Sequence, residues 1–207
     1  MRLVGSGGQV RLDELYDASG TLNNQSVLAL GQSQSRSHLL IQNTGSATIW
    51  VMVGPAKATA TLGSGVVSSV AVANAGQNYS FAPKVIFLGG GGAIGGVPAG
   101  YVGLGQEGAP SPSRVAQAHC VMTGSAGAMT ISSIVVDDPG AGYVAAPYVY
   151  LQNDPRDPNG VAIAAANTGI RLDASTSPVI WNGTVCPTSA ISIFAAAPAS
   201  YTLLWMP

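Results

Sequence analysis

The sequence predicts an all-β protein: a jelly-roll-like β-sandwich base interrupted by an inserted β domain of two repeats. Three observations carry this reading. First, 27 glycines and 13 prolines are spread along 207 residues. Long helices do not survive that spacing, because a helix interior is destabilised by roughly 1 kcal/mol for each Gly and 3 for each Pro. Second, the segments between them are short and rich in β-branched and aromatic residues, as strands are. Third, one stretch of the chain is repeated at a fixed offset.

His38-Leu39-Leu40-Ile41-Gln42, Thr48-Ile49-Trp50-Val51-Met52-Val53 and Lys84-Val85-Ile86-Phe87-Leu88 read as strands. Between the first two lies Asn43-Thr44-Gly45-Ser46, whose Asn and Gly tolerate the positive φ of a tight hairpin turn. Residues 191–207 are the most apolar stretch. Pro198, Ser200 and Thr202 interrupt it, so two strands joined near Ala197-Pro198-Ala199 fit better than a membrane span of ~20 apolar residues. Asp13-Glu14-Leu15-Tyr16 alone suggests a helical turn.

The repeat gives the insert its form. Val67-Ser68-Ser69-Val70-Ala71-Val72 is followed by Gly76, Tyr79, Ala82-Pro83, Val85 and Phe87. Ile131-Ser132-Ser133-Ile134-Val135-Val136 is followed by Gly140, Tyr143, Ala146-Pro147, Val149 and Leu151, every pair 64 residues apart. Duplication explains such agreement. Each unit reads as strand, turn, strand. Gly76 or Gly140 permits the bend. Tyr79 or Tyr143 packs its ring and bonds its hydroxyl across the turn, and Pro83 or Pro147 sets an extended entry to the next strand. One unit buries too little apolar surface to stand alone, so the two should pack together. Residues 89–130 read as glycine- and proline-rich loops plus a strand near Ala118-His119-Cys120-Val121.

Charged residues make up 8% of the chain, hydrophobic residues 47%, and net charge is −1. Such a composition argues against disorder and leaves little charge to keep a monomer soluble, so coverage of the surface by partners is expected. The eight basic residues are scattered, which argues against nucleic acid as a partner. Cys120 and Cys186 lack metal or redox spacing and read as two buried thiols rather than a bridge. The N-terminal residues lack the apolar core of a signal peptide, so synthesis in a bacterial cytoplasm without export is expected.

Apparent chemistry has plainer readings. Gly90-Gly91-Gly92-Ala93-Ile94-Gly95 matches a dinucleotide fingerprint, but Gly96-Val97-Pro98 cannot open the helix that such a site needs. His119 and Cys120 are neighbours, and on a strand they point to opposite faces. Asp154, Asp157 and Asn159 could furnish oxygen ligands to Ca²⁺, although Pro155, Pro158 and Arg156 break the EF-hand pattern and a solvated turn accounts for the loop. Asp137-Asp138 before Pro139 reads as a turn opener. No cofactor and no catalytic set are expected. Trp50, Trp181 and Trp205 are assigned to the sandwich core or its interfaces, with a carbohydrate platform as the alternative.

Two patterns resemble structural proteins of tailed bacteriophages. Pro139-Gly140-Ala141-Gly142-Tyr143 with Ala146-Pro147-Tyr148-Val149 is similar to the β-repeats of phage tail and head-fibre proteins. Ala75-Gly76-Gln77-Asn78-Tyr79 departs from it at Asn78, a residue that still adopts left-handed backbone. Arg36-Ser37-His38-Leu39-Leu40-Ile41-Gln42-Asn43-Thr44-Gly45, then Gly54-Pro55-Ala56, resembles small phage β-proteins that continue with G-(I/L)-x-L and a final hairpin. Here that continuation appears only at Gly169-Ile170-Arg171-Leu172. The resemblance therefore implies a discontinuous base, residues 1–65 and 166–207, around an insert of residues 66–165. It further implies a non-enzymatic virion protein, in the first place a capsid-decorating or minor head protein. Its expected partners are its own copies, as a trimer, and the major capsid protein. The alternatives are a neck, tail or baseplate component, or a module that binds a host glycan.

Overall fold

The computed structural model describes residues 3–5, 8–10, 15–91, 114–174 and 177–207. The chain is all-β, and among the described residues only a 3-10 turn at Gly183–Val185 is helical. No helix among them is long and apolar enough to cross a membrane. The strands are β1 (Leu3–Gly5), β2 (Gly8–Val10), β3 (Tyr16–Asp17), β4 (Gly20–Leu22), β5 (Val27–Leu30), β6 (His38–Asn43) and β7 (Ile49–Val53). Then come β8 (Lys57–Gly63), β9 (Val66–Asn74), β10 (Lys84–Leu88), β11 (Gln117–Thr123), β12 (Thr130–Asp138) and β13 (Tyr148–Gln152). The last four are β14 (Ile170–Leu172), β15 (Val179–Asn182), β16 (Ile191–Ala195) and β17 (Ala199–Met206). Of the proposed helical turn, Asp13 and Glu14 lie outside the described residues, and Tyr16 is in a strand. Two compact units result, residues 1–54 with 163–207, and residues 55–162.

The base is a jelly roll. One sheet runs β15-β6-β17 with β3 and β4 both along β17, and the other runs β14-β7-β16-β5. The pairs β4–β5, β6–β7, β14–β15 and β16–β17 each step from one sheet to the other, and both sheets keep the same lateral order of pairs. A ribbon of strand pairs folded over one core has this topology. Leu39, Ile41, Ile49, Val51, Ile191, Ile193 and Leu203 fill the space between the sheets.

The segment Asn43-Thr44-Gly45-Ser46 is consequently an arch between sheets, not the hairpin turn expected from its composition. β6 pairs with β15 and β17 rather than with β7. Neither Asn43 nor Gly45 is among the residues with positive φ. The arch needs glycine for space, because a Cβ on Gly45 would lie 2.6 Å from the Ser200 nitrogen. Asn43 is buried and fastens the arch. Its Nδ2 donates to the carbonyls of Ala47 (2.8 Å) and Leu172 (2.9 Å), and its Oδ1 accepts from the Gly45 N–H.

Arg36, at the head of the same motif, is 3% exposed. Its Nη1 donates to the carbonyls of Pro187 (2.6 Å) and Ser189 (3.1 Å), and its Nη2 to that of Gly31 (2.5 Å). The planar fork joins two loops, a geometry that a lysine does not reproduce. Replacing Arg36 with Met should lower the unfolding free energy by about 3 kcal/mol or more, because three carbonyls lose charged donors. Urea unfolding measures this; a change within 0.5 kcal/mol, the size of a neutral surface substitution, would show the staple to be idle. The R-x-x-L-x-I-x-N-T-G pattern is thus a folding motif, with Arg36 and Asn43 as staples and Leu39 and Ile41 in the core.

The insert is a six-stranded sheet in the order β12-β11-β10-β13-β8-β9. Its edges are joined by the bonds Val67 N–H to Pro139 carbonyl and Ile131 N–H to Ala75 carbonyl, which nearly close a barrel. The repeat relates these two bonds. It also relates Tyr79 N–H to Met129 carbonyl with Tyr143 N–H to Gly65 carbonyl. Each half contributes three strands, β8–β10 and β11–β13. The third strand pairs only with the opposite half: β10 with β11 and β13, and β13 with β10 and β8. The halves are intertwined, so neither has a complete sheet alone. This unit begins at residue 55 rather than 66 because β8 belongs to the first half.

Candidate assembly surfaces

The pattern repeated in the two halves is structural. Tyr79 and Tyr143 are 0% and 3% exposed. Each hydroxyl accepts a 2.9 Å bond from a backbone N–H, that of Ala56 and that of Ala116. Gly76 (φ +64°) and Gly140 (φ +67°) make the equivalent bends, and Asn78 (φ +62°) takes the left-handed conformation that Gly142 (φ +79°) takes in the second half. Pro83 and Pro147 are both buried. Ser68 and Ser132 each donate to a carbonyl beside an equivalent β-bulge, those of Thr61 and Val121, both at 3.0 Å. Asp138 opens its turn by accepting from the Gly140 N–H, as Asn74 does from Gly76.

Most of the charged side chains also have local partners. Asp154 is held down to about 2 by hydrogen bonds from the Arg156 side chain and backbone. The Ser19 side chain holds Asp17 below its ordinary value, and Thr48 and Arg171 do the same for Asp173. Arg114 pairs with Asp138 at 3.0 Å and His119 Nδ1 with Asp137 at 2.8 Å. His38 Nδ1 bonds Asn182 Oδ1 across β6 and β15.

Asp154, Asp157 and Asn159 have separate surroundings. Asp154 is engaged by Arg156 and Asn159 is exposed, while Asp157 is 1% exposed. Asp157 Oδ2 accepts from the backbone N–H groups of Ser80 (2.7 Å) and Phe81 (3.1 Å). In the second half the equivalent groups, Val144 and Ala145 N–H, share the Gly90 carbonyl instead. Among the described residues no three His, Cys, Asp or Glu side chains cluster as metal ligands. Gly90 and Gly91 end the first half, and the rest of the glycine run, from residue 92, lies outside the described residues.

Cys120 and Cys186 are buried and unpaired. Burial raises the Cys120 thiol to about 11 and raises Cys186 as well, which disfavours the reactive thiolate. Cys120 faces the barrel core while His119 is exposed, so the two do not meet.

The tryptophans divide. Trp181 and Trp205 are in register with Leu39 on the inner face of their sheet and pack against the core. Tyr16 stacks on Trp205 with ring centres 4.6 Å apart. Trp50 faces outward between buried Ile49 and Val51, 6.0 Å from Phe194, its cross-strand partner, and opposite Arg171.

Outward positions of an antiparallel sheet are ordinarily polar. Here they form apolar rows. Ile180, Leu40 and Leu204 lie in register across β15, β6 and β17 on the face opposite the core, with Ile180 49% exposed. Trp50 and Phe194 form such a row on the other sheet. On the insert, Leu88 pairs with Tyr148 and Ile86 with Tyr150, and Tyr148 is 62% exposed. The tryptophans alone do not reveal these rows. Unbroken apolar runs do: Leu39-Leu40-Ile41, Val179-Ile180-Trp181 and Leu203-Leu204-Trp205-Met206 lack the alternation of a strand with one wet face.

No protein-family model matches the chain, and neither a curated protein nor a solved structure is significantly similar to it.

Proposed function

We propose that this chain is a non-enzymatic structural protein that works by assembling onto other protein: a tailed-phage virion component, and within the virion a capsid-decorating or minor head protein. The observation that carries the reading is the set of apolar rows on the outward faces of the sheets. With 8% of residues charged, little else keeps such surface apart from its own copies. Burying those rows in a closed ring leaves no free sticky edge, and a trimer is the proposed ring because it suits three-fold positions of an icosahedral shell. The phage assignment rests on the two sequence patterns, and the jelly roll is an architecture that capsid proteins use.

Light scattering at micromolar concentration should give a closed oligomer, and Ile180→Glu should shift it toward monomer without loss of β-structure. A monodisperse wild-type monomer would contradict self-assembly. A second reading, a host-glycan module, is favoured by the outward Trp50 and Phe194 beside Arg171. Saturable binding of host surface polysaccharide that is lost in Trp50→Ala would establish it.

A further inference from the structure

We propose that the cleft between β10 and residues 115–118 binds an extended apolar peptide with one carboxylate, added as a strand beside Lys84. The repeat makes the β10–β11 and β13–β8 seams of the insert equivalent, but they are closed differently. β13 pairs with β8 at Tyr148 and Thr59 and again at Val149 and Ala58. β10 and β11 are in register only at Lys84 and His119, and the next equivalent pair, Val85 with Ala118, is not made. From there the strands part around a cleft of about 420 Å³, lined by residues 84–87 and 115–118.

Three features select such a peptide. Each wall is a run of four consecutive residues, whose side chains alternate in direction, so the backbone itself lines the cleft. Unpaired strand backbone is a template for one more strand, whereas a plain hydrocarbon would cover those N–H and C=O groups without bonding them. At roughly 3.3 Å per residue each wall is about 13 Å long, the length of a short added strand. Next, Val85, Phe87 and Ala116 belong to the barrel core, and Val115 is exposed at the mouth, so alternate apolar side chains of the strand have apolar contacts. Finally, Lys84 is the one charged side chain among these wall residues. It is exposed, and no carboxylate among the described residues pairs with it. The nearby Asp137 is engaged by His119. A carboxylate on the peptide supplies the missing counter-charge. Tyr148 stands at the equivalent position of the second half, so this charge is not part of the repeated framework. The site lies within the insert and does not depend on the virion reading.

The test titrates the full chain into a fluorescein-labelled peptide, Thr-Val-Thr-Val-Glu with an amidated end, and reads anisotropy. Binding should saturate below about 1 mM, the weak range suited to so small a contact. The same peptide N-methylated at both valines loses backbone donors and should bind about tenfold more weakly. Lys84→Gln should weaken binding of the Glu peptide about threefold and leave that of a Gln-ended peptide unchanged. Should that variant fail to fold, Val115→Asp serves instead: it alters an exposed wall residue and should weaken the Glu peptide about tenfold. No saturable binding, or binding indifferent to N-methylation, would overturn the proposal. Equal binding of the Glu peptide by wild type and both folded variants would overturn it in favour of a site elsewhere.

Discussion

Tyr79→Ala and Tyr143→Ala should each lower the stability of the insert by about 3–5 kcal/mol, the range for emptying a large aromatic site in a packed core. Both rings are among the least exposed in the chain, and each hydroxyl is the partner of a buried backbone N–H. Tyr→Phe at either position keeps the ring and orphans that N–H, so about 1–3 kcal/mol is expected. Because the halves are intertwined, loss of either Tyr should unfold the whole insert in one transition. Separate melting of the two halves, by circular dichroism or hydrogen exchange, would contradict the intertwined description.

The same side chain sets a pH dependence. Burial raises Tyr79 to about 12 from 10. Its folded-state value lies above the unfolded one, so the neutral phenol favours the native state. That contribution is complete below pH 10 and is lost as pH rises from 10 through 12. Ultraviolet absorbance should show the Tyr79 phenolate, identified by its loss in Tyr79→Phe, appearing together with unfolding. Ionisation at pH 10 with the fold intact would show the ring to be reachable by water.

The second large effect concerns the base. Excising residues 55–162 and joining Gly54 to Ile163 through a short flexible linker should leave a folded jelly roll. The strands on either side of the cut, β7 and β14, are neighbours in one sheet, with Val51 opposite Ile170 and Ile49 opposite Leu172. The excision thus replaces an insertion by an ordinary connection between adjacent antiparallel strands, and the core of Leu39, Ile41, Ile49, Ile191, Ile193 and Leu203 is untouched. Cooperative urea unfolding of the remnant is expected. A remnant without cooperative unfolding, beside a folded full chain, would contradict the independence of the base.

Sequence patterns reveal the repeat because a core Tyr, a bend Gly and an entry Pro recur at one spacing. They hide the first strand of each half. Lys57 corresponds to Gln117, an offset of 60 rather than 64, because the β8–β9 turn spans two residues and the β11–β12 turn spans six. Four residues in a turn shift the register without changing the fold, and an ungapped comparison ends there. The arch at Asn43 to Ser46 misleads for a related reason. Asn and Gly in a turn are equally suited to positive φ and to tight packing, and only the approach of Ser200 separates the two uses. Asp157 illustrates the limit for sites. Its neighbours in sequence suggest a solvated loop, while its function in the fold depends on Ser80 and Phe81, far away along the chain.

Quantitative mass spectrometry of purified virions decides whether the protein has the proposed place in a phage particle. The proposed head role predicts hundreds of copies per particle, with particles lacking the chain still assembling but losing DNA at lower temperature. A handful to a dozen copies would move the protein to the neck, tail or baseplate. Complete absence from purified particles, with the chain abundant in the infected cell, would contradict the proposed virion role.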